Sequence, residues 1–192
     1  MIKQDIEIYE EVIIAGFGGQ GVILAGKLLA QTGMTRGLEV TYMPSYGAEV
    51  RGGTANSMVV IADELIASPL VTQPHALIVL NGASFKKFVP RLKSGGLLIL
   101  NSSMVEDNPQ RDDIETVAVP ADHIALELGS PKSTNMVALG AYLQKRGQID
   151  PDLAAQCLSD VLAPRHHKTI PVNQQAIQQG VNFVKNMIPG SS

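Results

Sequence analysis

The chain has 192 residues, a formal charge of −3, 45 % apolar residues and 17 % charged residues. That length fits one domain with a sizeable core, and that apolar share excludes global disorder. With aromatics at 4 %, no Trp and scattered Lys and Arg, the chain lacks the basic, base-stacking surface of a nucleic-acid binder.

Met1 to Glu11 is polar and charged, and the first apolar run, Val12 to Ala15, is too short for a signal-peptide core. No stretch approaches the ~20 apolar residues of a membrane span, so a cytoplasmic protein is expected. Glu11 to Ala15 reads as a buried strand: short, β-branched and followed by glycines. Val22 to Met34 has Val22, Ala25 and Leu29, with Leu24 and Leu28, at helical spacing, and Gly37 closes that helix. Leu38 to Met43 reads as a second strand, parallel to the first across a βαβ-sized unit.

Pro44 to Gly53 is a polar, glycine-bearing loop, and Thr54 to Ala62 is strand-like over Met58 to Ile61. Ala76 to Leu80 and Gly96 to Leu100 are apolar strands flanking a short helix around Ser84 to Leu92. Glu115 to Val119 is another strand. Near-continuous apolar strands between helices indicate an α/β sheet covered on both faces. Ser133 or Thr134 is placed to cap a helix to Arg146, with Gly147 as its stop. Asp150-Pro151 suits the start of a helix through Leu162, and Ile177, Val181, Val184 and Ile188 form the apolar face of a last one. The tail Pro189 to Ser192 reads as frayed. No repeat or linker interrupts this order, which describes a single domain over residues 1–192 with its core at about 11–188.

Gly16, Gly18 and Gly21 satisfy G-x-G-x-x-G directly after a strand and before a helix. Glycines permit the tight turn and a close ligand approach, and the helix start offers N–H groups and a positive dipole end. The competing reading is a tight βα turn that binds nothing. An NAD site expects an acidic residue at the end of the second strand, and Thr41-Tyr42-Met43-Pro44 has none. A P-loop spelling from Gly21 to Lys27 continues into Leu28 instead of Ser or Thr, so the magnesium hydroxyl is missing.

The loop after the second strand packs Ser45, Tyr46, Glu49, Arg51 and Thr54 among Gly47, Gly52 and Gly53. It should share the carboxyl edge of the sheet with the first glycine loop, where ligands of open α/β sheets bind. Arg51 suits bidentate contact with a phosphate or carboxylate, and Glu49 would orient it or accept a ligand hydrogen bond. Equally, the two form an Arg–Glu pair that staples the loop.

Other reactive side chains suggest less. Cys157 is the single cysteine. It cannot form an intrachain disulfide, ligate an iron–sulfur cluster alone or build a zinc ribbon. It falls on the apolar face with Ala154, Leu158 and Val161, the pattern of a buried inert thiol. His75, His123, His166 and His167 lack metal-binding spacing, and His166-His167-Lys168 reads as an exposed connection. No metal site and no catalytic residue is assigned. Met34, Met43, Met58 and Met136 read as core filling. Asn135, at a helix start beside Ser133 and Thr134, reads as part of a capping segment, with a second anion contact as the alternative.

The runs Gly16-Phe-Gly-Gly-Gln-Gly-Val22 and Ser45-Tyr-Gly-Ala-Glu-Val-Arg-Gly-Gly53 together resemble the gamma subunit of 2-oxoacid:ferredoxin oxidoreductases. Thr134-Asn-Met-Val-Ala-Leu-Gly140 is similar to that family's helix start, and the resemblance runs from Val12 to about Val184. The second loop looks most like the 2-oxoglutarate branch. The resemblance implies a three-layer α/β/α domain with a mostly parallel, Rossmann-like sheet. It implies alpha, beta and delta-type partner subunits carrying thiamine diphosphate, Mg and iron–sulfur clusters, with ferredoxin as acceptor. The complex would decarboxylate a 2-oxoacid oxidatively to an acyl-CoA, and this chain alone would be inactive. CoA is the ligand expected at the loops. The residues expected to bind it are Gly16, Gly18, Gly19, Gln20, Gly21, Ser45, Tyr46, Glu49, Arg51 and Asn135. The pyrophosphate would sit on the N–H groups of Gly18 to Gly21, Arg51 would neutralise charge, and Gln20 would orient a group from the loop tip. Subunit contacts through both loops are the alternative use of the same residues. A stand-alone nucleotide-binding or regulatory module is the alternative for the whole chain. Low charge and high apolar content also fit a domain that buries surface against other subunits.

Overall fold

A computed structural model describes residues 8–45 and 54–187 of the chain. Six strands form one mixed sheet: β1 (Tyr9–Phe17), β2 (Glu39–Ser45), β3 (Thr54–Ala62), β4 (Ala76–Val79), β5 (Leu97–Asn101) and β6 (Glu115–Val119). Their order across the sheet is β2-β3-β1-β4-β5-β6. β1, β4, β5 and β6 pair in parallel, and β3 runs against both β1 and β2. The sheet is therefore mostly parallel, as expected. β1 and β2 share a direction, but β3 lies between them, so they do not form an adjacent βαβ pair.

Alternation along the strands sends apolar side chains to both faces. Val12 and Ile14 of β1, Ile78 of β4 and Ile99 of β5 enter one cluster. Ile13, Leu77, Leu98 and Leu100 enter the other. On the first face lie α1 (Val22–Thr35), α3 (Ala121–Glu127), α4 (Thr134–Arg146), α5 (Pro151–Gln156), α6 (Leu158–Val161) and α7 (Ile170–Met187). On the second lies α2 (Gly82–Phe88), with its 3-10 continuation Val89–Arg91 and the residues Val71 and Val105. Burial of each large aliphatic chain in these clusters stabilises the fold by roughly 1.5–3 kcal/mol.

Local signals placed most helix ends. Gly37 and Gly147 close α1 and α4 with φ of +87° and +65°. Asp150 caps α5 by accepting from Asp152 N at 2.9 Å. Three expectations need correction. The helix expected through Leu162 breaks at Cys157, where Asp160 N bonds to the Cys157 carbonyl at 3.1 Å, a tighter three-residue turn. Ser133 is the cap residue of α4, but its hydroxyl donates to Asn173 instead of capping the helix, and Thr134 donates to Asp122. Met34 is exposed on α1, not in the core, whereas Met136 is fully buried. Cys157 is buried in the main cluster with Ala154, Leu158 and Val161, as its spacing implied.

Helix α3 has no clear signal in the chain order. Its first N–H, at Ala121, is satisfied by Asn101 Oδ1 at 3.2 Å, from the end of β5. That stabilising contact is tertiary, so local sequence does not announce it.

Candidate functional site at the carboxyl edge of the sheet

The crossover from β1 passes over one face through α1, while β4 leads to α2 on the other. The point between β1 and β4 is therefore the topological switch, where open α/β sheets place ligands. The glycine turn sits there. Gly21 takes a left-handed conformation with φ of +72° and is the cap residue of α1, which has no side-chain cap. Among the described residues, no side-chain cap therefore takes up the first helix N–H groups.

The motif glycines divide into two kinds. Gly18 and Gly19 are exposed. Gly16 and Gly21 make room for the chain's own amides: a Cβ at Gly16 would lie 2.7 Å from Gln20 Oε1, and one at Gly21 would lie 2.5 Å from Asn135 Nδ2. Gln20 folds back beneath the turn. Its Oε1 accepts from Phe17 N at 2.7 Å and from Asn81 Nδ2 at 3.0 Å, and its Nε2 donates to the Leu80 carbonyl at 3.2 Å. The side chain expected to present a group from the loop tip instead stitches the end of β1 to the end of β4.

Asn135, 3 % exposed, comes from the first turn of α4 and donates to the Gly21 carbonyl at 2.9 Å. Its Oδ1 is buried with no hydrogen-bond partner among the described residues. Polar contacts continue along the edge. Asn101 Nδ2 donates to Leu80 O at 3.3 Å and to Asp122 Oδ2 at 3.1 Å, and Thr134 Oγ1 donates to Asp122 Oδ1 at 2.7 Å. One chain of amides and a carboxylate thus links the ends of β1, β4 and β5 to the starts of α3 and α4.

A cavity of about 410 Å³ opens on the glycine turn. Phe17, Gly18, Gly19, Val22, Leu24 and Lys27 contribute to its walls. The surface is mainly apolar, and its one charged residue among the described ones is Lys27, whose Nζ donates to the Val161 carbonyl at 3.4 Å. It can seat a partly apolar molecule bearing an anionic group. Ser45 stands at the same edge, since β2 places it opposite Asn56, which in turn pairs with Ala15. Tyr46, Glu49 and Arg51 lie outside the described residues, between two strand ends that both reach this edge.

Residues 11–183 match the family model for pyruvate ferredoxin/flavodoxin oxidoreductase. The chain belongs to this family. It is 35 % identical over 186 residues to the 2-oxoglutarate synthase subunit KorC of Methanothermobacter thermautotrophicus, covering 93 % of this chain and 97 % of that one. The gamma subunit of a keto/oxoacid ferredoxin oxidoreductase from Geobacter sulfurreducens superposes with a TM-score of 0.80 at 28 % identity, over 92 % of this chain and 99 % of that one. The 2-oxoglutarate:ferredoxin oxidoreductase of Magnetococcus marinus, solved with 2-oxoglutarate, coenzyme A and succinyl-CoA bound, gives 0.83 at 25 % identity, over 95 % of this chain and 32 % of that one. The chain likewise spans 37 % of the length of the ketoisovalerate oxidoreductase subunit VorA that it matches. It corresponds to the gamma unit, which is separate in some relatives and part of a longer chain in others.

For a member of the pyruvate ferredoxin/flavodoxin oxidoreductase family, the sheet order explains the missing ribose carboxylate. In a dinucleotide fold the second strand lies beside the first and offers that acid. Here the antiparallel β3 occupies that place. Asn81, Asn101 and Asp122 were not among the residues the sequence singled out. The signal available was a lone amide directly after an apolar run, at Leu80-Asn81 and Leu100-Asn101, where the sheet's carboxyl edge falls.

Proposed function

We propose that this chain is the gamma subunit of a 2-oxoacid:ferredoxin oxidoreductase whose 2-oxoacid is 2-oxoglutarate. The observation that carries the reading is the match with KorC over 97 % of that subunit's length. The complex oxidatively decarboxylates the 2-oxoacid, passes the acyl group to CoA and reduces ferredoxin. Alpha, beta and delta-type partners hold thiamine diphosphate, Mg and the iron–sulfur clusters. The single cysteine, buried in the core, agrees with redox ligands held elsewhere. We place the complex in the cytoplasm; among the described residues no helix is long and apolar enough to cross a membrane.

CoA fits the residues at the glycine turn. The N–H groups at the start of α1, which has no side-chain cap among the described residues, and Lys27 suit its phosphates, and Phe17, Val22 and Leu24 suit its less polar parts. Arg51, from the neighbouring loop, would neutralise phosphate charge. When bound, CoA supplies the thiol that receives the acyl group. Gln20 and Asn135 act on the turn itself, holding Gly16 to Gly21 in the conformation that faces the ligand.

The test is reconstitution with the partner subunits and assay of acyl-CoA formation from 2-oxoglutarate, pyruvate, indolepyruvate and 2-ketoisovalerate. The expected result is CoA-dependent ferredoxin reduction with 2-oxoglutarate preferred, and none from this chain alone. A complex active without this chain, or preferring another 2-oxoacid, would refute the subunit role or the substrate respectively.

A further inference from the structure

The two faces of the sheet are covered unequally. Helices α1 and α3 to α7 pack on the first face, whereas among the described residues α2 is the one helix on the second. The chain around α2 is cationic. Between Glu64 and Glu106 it carries no Asp or Glu, while Lys86, Lys87, Arg91 and Lys93 follow one another closely. Lys93 pairs with Glu11 at 3.5 Å. Lys86 and Lys87 are exposed, and neither they nor Arg91 form an ion pair among the described residues.

Arg91 is held in place. Its Nε donates to the Thr72 carbonyl at 3.0 Å and its Nη2 to the Val71 carbonyl at 2.7 Å. Its guanidinium lies 5.4 Å from the centre of the buried Phe88 ring, and Lys87 Nζ lies 5.5 Å from the same ring. The anchor on Val71 sets Arg91 beside Leu70, which is 54 % exposed although Val71 is fully buried. Lysines in the last turn of a helix favour its dipole, which accounts for Lys86 and Lys87. It does not account for a fixed Arg91 next to an exposed leucine. An apolar side chain flanked by cations, Arg among them, has the make-up of a protein interface, with an apolar centre and a charged rim. Phe85 and Phe88 are buried, so α2 offers no aromatic platform for nucleic-acid bases.

We infer that the outer face of α2 seats an acidic surface of a partner subunit, with carboxylates on Lys86, Lys87 and Arg91 and an apolar side chain over Leu70. The whole chain has a formal charge of −3. An acidic partner is therefore repelled by the molecule at large and attracted at this ridge, which fixes its orientation. The planar guanidinium of Arg91, already anchored, meets a carboxylate with little further loss of freedom. The inference rests on the reading of this chain as a subunit. It uses none of the residues that line the glycine-turn cavity.

The experiment compares the full chain alone with the complex reconstituted from it and its partner subunits. Backbone amides around Leu70 and along α2 should exchange about fivefold more slowly in the complex. Affinity of the chain for the partner subunits is then measured by sedimentation at about 0.05 M and 0.5 M salt. The exposed double variant Lys86→Gln/Lys87→Gln should weaken assembly by about tenfold at the lower salt, with the gap closing at the higher. Leu70→Ser should weaken it at both, because the contact it loses is apolar. Amide exchange along α2 that is the same in the complex as in the chain alone, or assembly unchanged in the lysine variant, would overturn the inference and leave the subunit reading standing. A chain that never enters the complex would overturn the subunit reading, and this inference with it.

Discussion

Asn135 donates a 2.9 Å hydrogen bond to the Gly21 carbonyl, joining the first turn of α4 to the glycine turn 114 residues earlier in the chain. The contact is possible because position 21 has no Cβ; one placed there would lie 2.5 Å from Asn135 Nδ2. The left-handed φ of +72° adds a second reason for glycine.

The two positions should therefore behave as one unit. Gly21→Ala is expected to lower stability by about 2 kcal/mol, from backbone strain and overpacking together. Asn135→Ala should cost about 1–2 kcal/mol, from a lost buried hydrogen bond. Because the clash involves Asn135 itself, the double variant should lose less than the sum. Urea unfolding of the four proteins checks this; strictly additive losses would show that the residues do not interlock.

Gln20 makes three hydrogen bonds to Phe17, Leu80 and Asn81, at 2.7, 3.2 and 3.0 Å. Gln20→Ala should free the Phe17 amide and loosen the turn while leaving the sheet intact. Hydrogen exchange at Phe17 is expected to rise about tenfold, with Ile13 and Ile14 unchanged. An unchanged Phe17 rate would mean that Gln20 does not hold the turn.

At the opposite edge of the sheet, Glu10 is buried beneath Arg146, with contacts of 2.7 and 2.9 Å. Burial raises the Glu10 carboxyl above its ordinary value of 4.5, and Arg146 pulls it partly back. A raised carboxyl binds its proton more readily in the folded state than in the unfolded one. Its unfavourable contribution therefore grows as pH rises through the raised pKa, and fades as pH falls toward the ordinary value. Arg146→Met removes the compensating charge. The expected loss is about 3 kcal/mol near pH 7 and clearly less near pH 5, where Glu10 can protonate. Denaturant curves at both pH values measure it, and equal losses would contradict the buried-charge account.

Arg51→Ala, made in the reconstituted complex, is expected to weaken CoA binding by about tenfold through loss of a charge-assisted contact. Calorimetric titration with CoA reads the effect. Unchanged affinity would assign Arg51 to the loop instead, as the partner of Glu49.

Much of this protein is legible in short windows of sequence. The apolar runs at Val12 to Ala15, Ala76 to Leu80 and Gly96 to Leu100 announce their strands, because strand and helix periods are local properties. Gly37, Gly147 and Asp150 mark helix ends, because caps act within one turn. The glycine turn and the run from Ser45 to Gly53 lead to the family, and the glycine turn leads to the edge of the sheet where its cavity opens.

The tertiary structure decided what those windows leave open. Strand order depends on long-range pairing, so nothing local places β3 between β1 and β2. The fold also chose the partners of two motif residues. Gln20 reads as a loop-tip ligand group from its neighbours alone, yet Leu80 and Asn81, some 60 residues on, draw it under the turn. Asn135 reads as part of a capping segment, yet the approach of α4 to Gly21 makes it a strut, with its Oδ1 unpartnered among the described residues. Local chemistry named the glycines; which amides occupy the space they leave follows from how distant elements pack against one another.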